Sequence, residues 1–209
     1  MSFDNALVAG KLRRWEKYLD QYRLPRWEDI PDLGLYMEQV IALLKQYLDY
    51  LPPELKEEQF ITAATINNYV RTKIMPEPIK KRYYRIHIAY LLLICTLKQG
   101  LSIALVQKLV PMGISEQELK ELYVKYEERH RLTAGYFVEQ VRHLASPILQ
   151  HDDTYPISTN SPEALIVSSA IFGGLSRLLA EKLLLLDGKN LENGGSIEVR
   201  NSKKTETGS

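Results

Sequence analysis

Apolar residues recur along most of the chain at three- and four-residue steps, the spacing that places them on one side of an α-helix. Prolines, glycines and short polar stretches interrupt this pattern and separate the segments. The pattern predicts seven helices, over residues 3–22, 33–51, 62–72, 86–99, 101–109, 116–150 and 161–186. We therefore expect a mainly all-α protein.

Residues that commonly begin helices precede several of these segments. Asp32 is the expected cap of the second helix and Thr62 that of the third. Ser115 and Glu118 have the spacing of a capping box ahead of the sixth. Before the second helix, two prolines around Trp27 indicate an extended connector that is held in place by the indole ring.

The helix predicted over 62–72 has two chemically different sides. On a helical wheel Ile66, Tyr69 and Val70 fall together and should face the core. The opposite side carries Ala64, Asn67, Asn68 and Arg71. In the DNA major groove, asparagine forms paired hydrogen bonds with adenine and arginine with guanine. This side is therefore a candidate for reading bases, and the amide end capped by Thr62 is a candidate for binding a phosphate.

A basic segment follows that helix. Six cations between residues 71 and 85 are opposed only by Glu77, which gives the segment a net charge of +5 on a chain whose total is +1. The cations are Arg71, Lys73, Lys80, Lys81, Arg82 and Arg85. Clustered cations beside an amide-bearing helix are typical of proteins that contact the DNA backbone. The competing interpretation is a solvated charged loop next to an ordinary short helix.

Several phrases of this region follow the order found in one regulator family. They are Ile61 to Val70, Ile74-Met75-Pro76, the later Tyr83, and Lys98 to Ile103. The region resembles the DNA-binding half of MerR-type regulators, in which a recognition helix is followed by a basic wing and a further helix. The sequence departs from that family at two positions, with Lys73 in place of a glycine and Tyr84 in place of a serine or aspartate.

The resemblance implies a winged helix-turn-helix with a small basic wing. It implies that the 62–72 helix reads the major groove and that the 77–85 wing holds phosphates. The DNA-binding residues would be Thr62, Ala64, Thr65, Asn67, Asn68, Arg71, Lys73, Lys80, Lys81, Arg82, Tyr83 and Arg85. Double-stranded DNA is accordingly the expected partner, and a homodimer is the expected assembly.

A second resemblance covers more of the chain. The phrases Leu24 to Pro31, Ile66 to Val70 and Ile79-Lys80-Lys81 are similar to an uncharacterised bacterial family, the domain-of-unknown-function family numbered eighteen thirty-six. This similarity extends over about Leu24 to Gln150. The family name implies no activity.

These features divide the chain into four parts. In order they are an N-terminal amphipathic helix, the MerR-like winged helix-turn-helix, a helical bundle for dimerisation or effector binding, and a disordered tail, over residues 1-23, 24-113, 114-186 and 187-209. The last helix is apolar, but Arg177, Glu181 and Lys182 interrupt it before about twenty apolar residues accumulate. A buried packing or dimer helix is therefore favoured over a membrane span.

Composition narrows the class of protein. With 45% hydrophobic and 25% charged residues, the chain is typical of a globular protein. No basic region followed by an apolar block opens the sequence, so we expect no signal peptide and a cytoplasmic location. The one cysteine, Cys95, lies among leucines and isoleucines and is expected to be a structural thiol.

No pattern in the sequence indicates catalysis. A phosphate-binding glycine loop, a dinucleotide fingerprint and a zinc-protease helix are all missing. His143 and His151, near Asp152 and Asp153, match no recurrent spacing of metal ligands. We therefore expect neither an enzyme nor a bound cofactor or metal.

Three hypotheses follow from the sequence. The leading one is a sequence-specific DNA-binding transcriptional regulator. The alternative is a helical adaptor that keeps the same fold and binds an acidic protein partner. In a third, the C-terminal helices enclose a small-molecule effector, although core packing is the competing use of the aromatic rings involved. Those rings belong to Tyr123, Tyr126, Tyr136 and Phe137.

Overall fold

The computed structural model describes residues 4–49, 61–99, 101–144, 167, 170–179, 186 and 188–194. It contains the helices α1 (Asn5–Gln21), α2 (Met37–Tyr47), α3 (Ala63–Arg71), α4 (Arg85–Leu97), α5 (Ile103–Leu109) and α6 (Glu116–Leu144), and a 3-10 helix at Trp27–Asp29. Residues 170–179 are helical as well. Within the described ranges, β-pairing is confined to two isolated bridges. The predicted mainly all-α class is confirmed.

Helix α4 forms the centre of the core. Every residue from His87 to Leu97 is buried, because the segment is apolar on almost all sides and needs neighbours all around. Helices α2, α5 and α6 supply them. Cys95 is buried among them, and burial raises the pKa of its thiol to about 12. The thiol therefore stays protonated and serves packing, as predicted.

The long helix α6 packs inside the chain, against α1 on one side and α4 on the other. Toward α1, the ring centroids of Trp15 and Phe137 lie 5.6 Å apart in an edge-to-face arrangement. Toward α4, the Tyr126 hydroxyl donates a hydrogen bond to the Thr96 hydroxyl. The aromatic side of α6 is therefore used by the chain's own bundle.

The connector between α1 and α2 is held by Trp27, as predicted. The indole is buried, and its ring centroid lies 6.0 Å from that of Tyr123 in α6. The Tyr123 hydroxyl also donates a hydrogen bond of 2.8 Å to the backbone carbonyl of Pro25. These contacts fix the segment that leads into α2.

Helix α2 begins later than predicted. The expectation of a start at residue 33 with Asp32 as the cap was wrong, because Leu35 pairs with Tyr83 through two backbone hydrogen bonds of 2.9 Å. The helix therefore starts after Tyr36, whose backbone N–H donates to the Gln39 side chain. Asp32 instead accepts a hydrogen bond of 3.3 Å from the distant backbone N–H of Arg85.

The capping box ahead of α6 is confirmed. The Ser115 backbone N–H donates to the Glu118 carboxylate at 2.8 Å, and the Glu118 N–H donates back to the Ser115 hydroxyl at 3.2 Å. The predicted loop at 151–161, much of the predicted last helix and most of the predicted tail lie outside the described residues. Among the described helices, none combines the length and apolarity that crossing a bilayer requires.

Candidate nucleic-acid interface

Helix α3 has one buried side and one exposed side. Ile66 is fully buried and Tyr69 is 3% exposed, so both anchor the helix to the core. The helix makes its contacts with α2. The exposed side, which we call the outer face of α3, carries Ala64, Asn67, Asn68 and Arg71, as the helical wheel predicted. A row of two amides and one guanidinium is therefore open to solvent.

The first turn of α3 is closed by two threonine side chains. The Thr62 hydroxyl accepts a hydrogen bond of 3.0 Å from the Thr65 backbone N–H, and the two hydroxyls lie 2.9 Å apart. Thr62 therefore caps α3, as predicted. Both side chains are only half exposed, so they set the start of the helix and leave the following residues to face outward.

Helix α3 ends at a left-handed residue. Lys73 has a φ of 55°, and its N–H donates to the Val70 carbonyl at 3.0 Å, while the Ile74 N–H donates to the Tyr69 carbonyl at 2.9 Å. These two bonds make a Schellman cap, whose left-handed position is usually glycine. Lys73 therefore takes a conformation that glycine usually supplies and adds an exposed charge.

Within the outer face of α3, two side chains are joined. A guanidinium nitrogen of Arg71 donates a hydrogen bond of 2.7 Å to the Asn68 side-chain oxygen. Both groups remain exposed. Because they lie one helical turn apart, the bond fixes the direction in which each presents its remaining polar atoms.

The basic segment forms a tight hairpin between Ile79 and Arg82, which we call the basic hairpin. The two residues exchange backbone hydrogen bonds of 3.0 and 2.9 Å. Lys80 and Lys81 occupy the turn with φ values of 49° and 64°. Positive φ at both central residues is characteristic of a type I′ turn, which normally uses asparagine and glycine. Both lysines are exposed at its tip.

Two arginines of this segment serve mainly to hold the hairpin. The Arg82 guanidinium donates to the Gly34 carbonyl at 2.9 Å and to the Tyr36 hydroxyl, and its carbon lies 3.5 Å above the Tyr36 ring. Arg85 donates through Nε to the Ile30 carbonyl at 2.9 Å. These contacts use only part of the five N–H donors of each guanidinium, so the role of both arginines as phosphate contacts stays a prediction.

Tyr83 was predicted to contact DNA, but the structure places it in the core. Its side chain is only 3% exposed, and its backbone pairs with Leu35. Successive side chains of an extended backbone point to opposite sides. Because Tyr83 points into the core, Arg82 and Tyr84 point away from it. Burial raises the pKa of the Tyr83 phenol, in keeping with a ring that packs rather than binds.

His87 connects the basic segment to the central helix. Its Nδ1 accepts a hydrogen bond of 3.0 Å from the Tyr84 backbone N–H, so the proton of the neutral ring resides on Nε2. That nitrogen lies 3.0 Å from the Glu77 carbonyl and donates to it. Burial lowers the pKa of His87 against the opposing effect of the hydrogen bond to the Glu77 carbonyl. A neutral imidazole is therefore the cap of α4.

Sequence reasoning missed Tyr36 and His87, the two side chains that place the hairpin. Tyr36 supports the Arg82 guanidinium from a position 46 residues earlier, and no periodic pattern links such distant residues. His87 was detectable in principle, because it stands three residues after Tyr84, the residue that precedes α4, and a capping box places its acceptor side chain at that spacing.

Other sites considered from the sequence do not gather in the described residues. No group of three or more histidine, cysteine, aspartate or glutamate side chains there could hold a metal ion. Tyr123, Tyr126 and Phe137 are buried in the bundle, so core packing is their role. A cavity between α1 and α6 has a volume of about 10 Å³, enough for about one water molecule. It is too small for an effector.

The fold and this surface define a small helical protein that carries an amide-bearing helix and a basic hairpin on its exterior. Residues 25–128 match the model of a family described as a domain of unknown function (DUF1836), and the chain belongs to this family. The match runs from the Trp27 connector through the first half of α6. No curated protein and no solved structure matches the chain significantly.

Proposed function

We propose that this protein is a sequence-specific DNA-binding transcriptional regulator that reads the major groove with α3. The observation that carries the proposal is the outer face of α3, where Asn67, Asn68 and Arg71 are exposed while Ile66 and Tyr69 fix the helix from the inside. Amides and guanidinium groups are the side chains that recognise purine edges. Their presentation on a rigidly packed helix favours base reading over a solvated surface.

The dimensions of α3 suit that role. Nine residues at a rise of about 1.5 Å give a helix about 13 Å long, comparable with the width of about 12 Å of the major groove. Ala63 and Ala64 at its start are small and exposed. They let the helix approach the base edges closely, ahead of the longer side chains of the next two turns.

The phosphate contacts of the proposal come from three lysines. Lys73 follows α3 directly, and Lys80 and Lys81 form the tip of the basic hairpin, all of them exposed. Arg82 and Arg85 act as positioning residues, because their guanidinium groups join the hairpin to the segment before α2. The order of helix, hairpin and apolar helix supports a winged helix-turn-helix of the MerR type.

The regulator is proposed to act as a homodimer. Two copies would place two α3 helices on half-sites about 34 Å apart along one side of the DNA. The outer side of α6 offers apolar contacts for such an assembly, since Val124 is 43% exposed and Leu132 is 36% exposed. Light scattering of the full chain with and without its selected DNA would give the stoichiometry.

The proposal is tested by selecting duplexes from a random pool with the full chain and measuring their affinity against salt. Lys80→Ala with Lys81→Ala should weaken all duplexes alike and reduce the log-log salt slope by about 1.8, at about 0.9 per phosphate. Asn67→Ala should instead change the preference among sequences. Lys125→Ala, which removes an exposed charge on α6, is the matched control and should change neither.

A helical adaptor is the second candidate. Three exposed apolar side chains on the hairpin and on the segment that pairs with it favour this candidate. Leu33 is 69% exposed, Tyr36 is 50% exposed and Ile79 is 55% exposed. If no duplex is retained at any salt concentration, the DNA-binding proposal is refuted. A protein partner lost on Tyr36→Ala and Ile79→Ser would then support the adaptor.

A further inference from the structure

We infer that Asn68 and Arg71 act as one unit that turns hydrogen-bond donors outward while Arg71 holds the Asn68 side-chain oxygen, and that this unit therefore reads guanine in the major groove. This inference rests on the proposed DNA-binding function and deepens it by naming the base. It starts from the 2.7 Å contact between the Arg71 guanidinium and the Asn68 side chain.

The contact determines how the Asn68 amide is oriented. A guanidinium group carries five N–H donors and no acceptor, so the amide atom that faces it must be the oxygen. The amide nitrogen of Asn68, with its two hydrogens, therefore points away from Arg71. Since both side chains are exposed, this nitrogen and the remaining guanidinium hydrogens are the groups that point away from the contact, while the second lone pair of the Asn68 oxygen stays on the atom that Arg71 holds.

Such a pair distinguishes between the four bases. Guanine presents two neighbouring acceptors, N7 and O6, in the major groove, and these match adjacent donors. Adenine places an amino donor beside its N7, and cytosine presents an amino donor. In both cases a donor of the base would face a donor of the Asn68–Arg71 pair. Thymine has one acceptor and a methyl group. Guanine is the base that satisfies the pair most completely.

Asn67 provides a contrast on the same helix. Its side chain is exposed and makes no hydrogen bond within the described residues, so its amide keeps both its donor and its acceptor. An asparagine in that state pairs with adenine through N6 and N7. From sequence alone both asparagines are equivalent candidates for adenine. The Arg71 contact makes them different.

The test uses random-pool selection with the full chain, followed by competition among duplexes that differ at one base pair. The unchanged protein should select guanine at the position whose preference changes in Asn68→Ala and Arg71→Ala. Replacing that guanine with adenine should weaken binding by roughly ten- to a hundredfold, the range of one paired base contact. All variants alter exposed side chains and should keep the unfolding midpoint of the parent.

The decisive variant is Arg71→Ala. It frees the Asn68 oxygen and should convert the preference at this position from guanine to adenine, rather than abolish it. Arg71→Lys keeps a donor for the Asn68 oxygen and should not select adenine. Lys125→Ala should leave the whole preference unchanged.

The outcomes separate the inference from the function that it rests on. The inference is overturned, with DNA binding intact, if the unchanged protein binds duplexes but selects adenine at this position, or if Arg71→Ala loses all preference there. Retention of no duplex by the unchanged protein overturns both. Guanine in the parent and adenine in Arg71→Ala support both.

Discussion

The Tyr126 hydroxyl in α6 donates a hydrogen bond of 2.6 Å to the Thr96 hydroxyl in α4, and both residues are buried. Thr96 in turn donates to the Leu92 carbonyl at 2.7 Å. The two bonds form a short polar chain inside an otherwise apolar interface. The bond from Tyr126 connects the long helix α6 to the central helix α4, which also positions the base of the hairpin.

We expect Tyr126→Phe to lower the free energy of unfolding by about 1 kcal/mol, the net value of one hydrogen bond. Thr96→Val should cost about 1–3 kcal/mol, because it deprives the buried Tyr126 hydroxyl of this acceptor. The double variant should lose less than the sum of the two, since removing both partners also removes the desolvated donor. Urea unfolding of the parent, the two single variants and the double variant measures the coupling energy between Tyr126 and Thr96. Strictly additive losses of stability would contradict this coupling.

Stability should fall as the solution becomes acidic. Burial lowers the pKa of His87 and lowers that of His130 to about 4. A lowered pKa means that the folded state binds protons less readily than the unfolded chain. The stabilisation is therefore complete above about pH 6.5 and is lost as the pH falls toward 4, with a slope of up to about 1.4 kcal/mol per pH unit for each histidine.

The variant His87→Gln separates the contribution of His87 to this acid sensitivity from that of His130. Glutamine can accept the hydrogen bond at the third position of a capping box without titrating. The variant should therefore show a shallower slope between pH 6.5 and 5, where most carboxylates are still ionised. Urea unfolding at a series of pH values gives the slope, and an unchanged slope would mean that His87 binds protons equally in the folded and unfolded states.

Lys73→Gly should separate the conformation of Lys73 from its charge. A side chain in the left-handed region costs about 1–2 kcal/mol. Glycine removes this strain, but part of the gain in stability is offset because glycine increases the entropy of the unfolded chain. We expect a gain in stability of up to about 1 kcal/mol. Lys73→Ala removes the same charge but keeps the strain, so it should show no gain. Both should reduce the salt slope of DNA binding by about 0.9.

Replacing Lys80 with Asn and Lys81 with Gly should stabilise the basic hairpin while weakening DNA binding. This pair of residues is favoured in type I′ turns, so the free energy of unfolding should rise by about 1 kcal/mol. Loss of two phosphate contacts should lower the salt slope by about 1.8. The control, Lys80→Arg with Lys81→Arg, keeps both charges and should leave the slope unchanged. Equal DNA affinity in all three proteins would argue against the proposed phosphate contacts.

Much of the local structure was predictable from the sequence. The start of α3 at Thr62, the capping box at Ser115 and the burial of Cys95 all follow from short-range patterns, because capping and helical periodicity depend on residues within a few positions of one another. The outer face of α3 was predictable for the same reason. A helix with one apolar side buries that side and exposes the other.

The roles of the basic residues depended on contacts across the chain. Arg82 and Arg85 were expected to meet phosphates, yet they bind carbonyls that lie 48 and 55 residues earlier. The sequence shows that both side chains are charged, but it does not show which acceptor lies near each of them in the folded chain. The start of α2 was misplaced for a related reason, since backbone pairing with Tyr83 holds Leu35 in an extended conformation.

By itself, the sequence determined the helical class, the burial of Cys95 and the exposed amides and guanidinium of α3, because each follows from the spacing of apolar residues along one helix. The tertiary structure alone decided that Tyr83 faces inward and that two arginines hold the hairpin. These outcomes depend on where side chains meet in three dimensions. Hydrogen-bond partners are chosen by proximity in the folded chain, which the order of residues does not reveal.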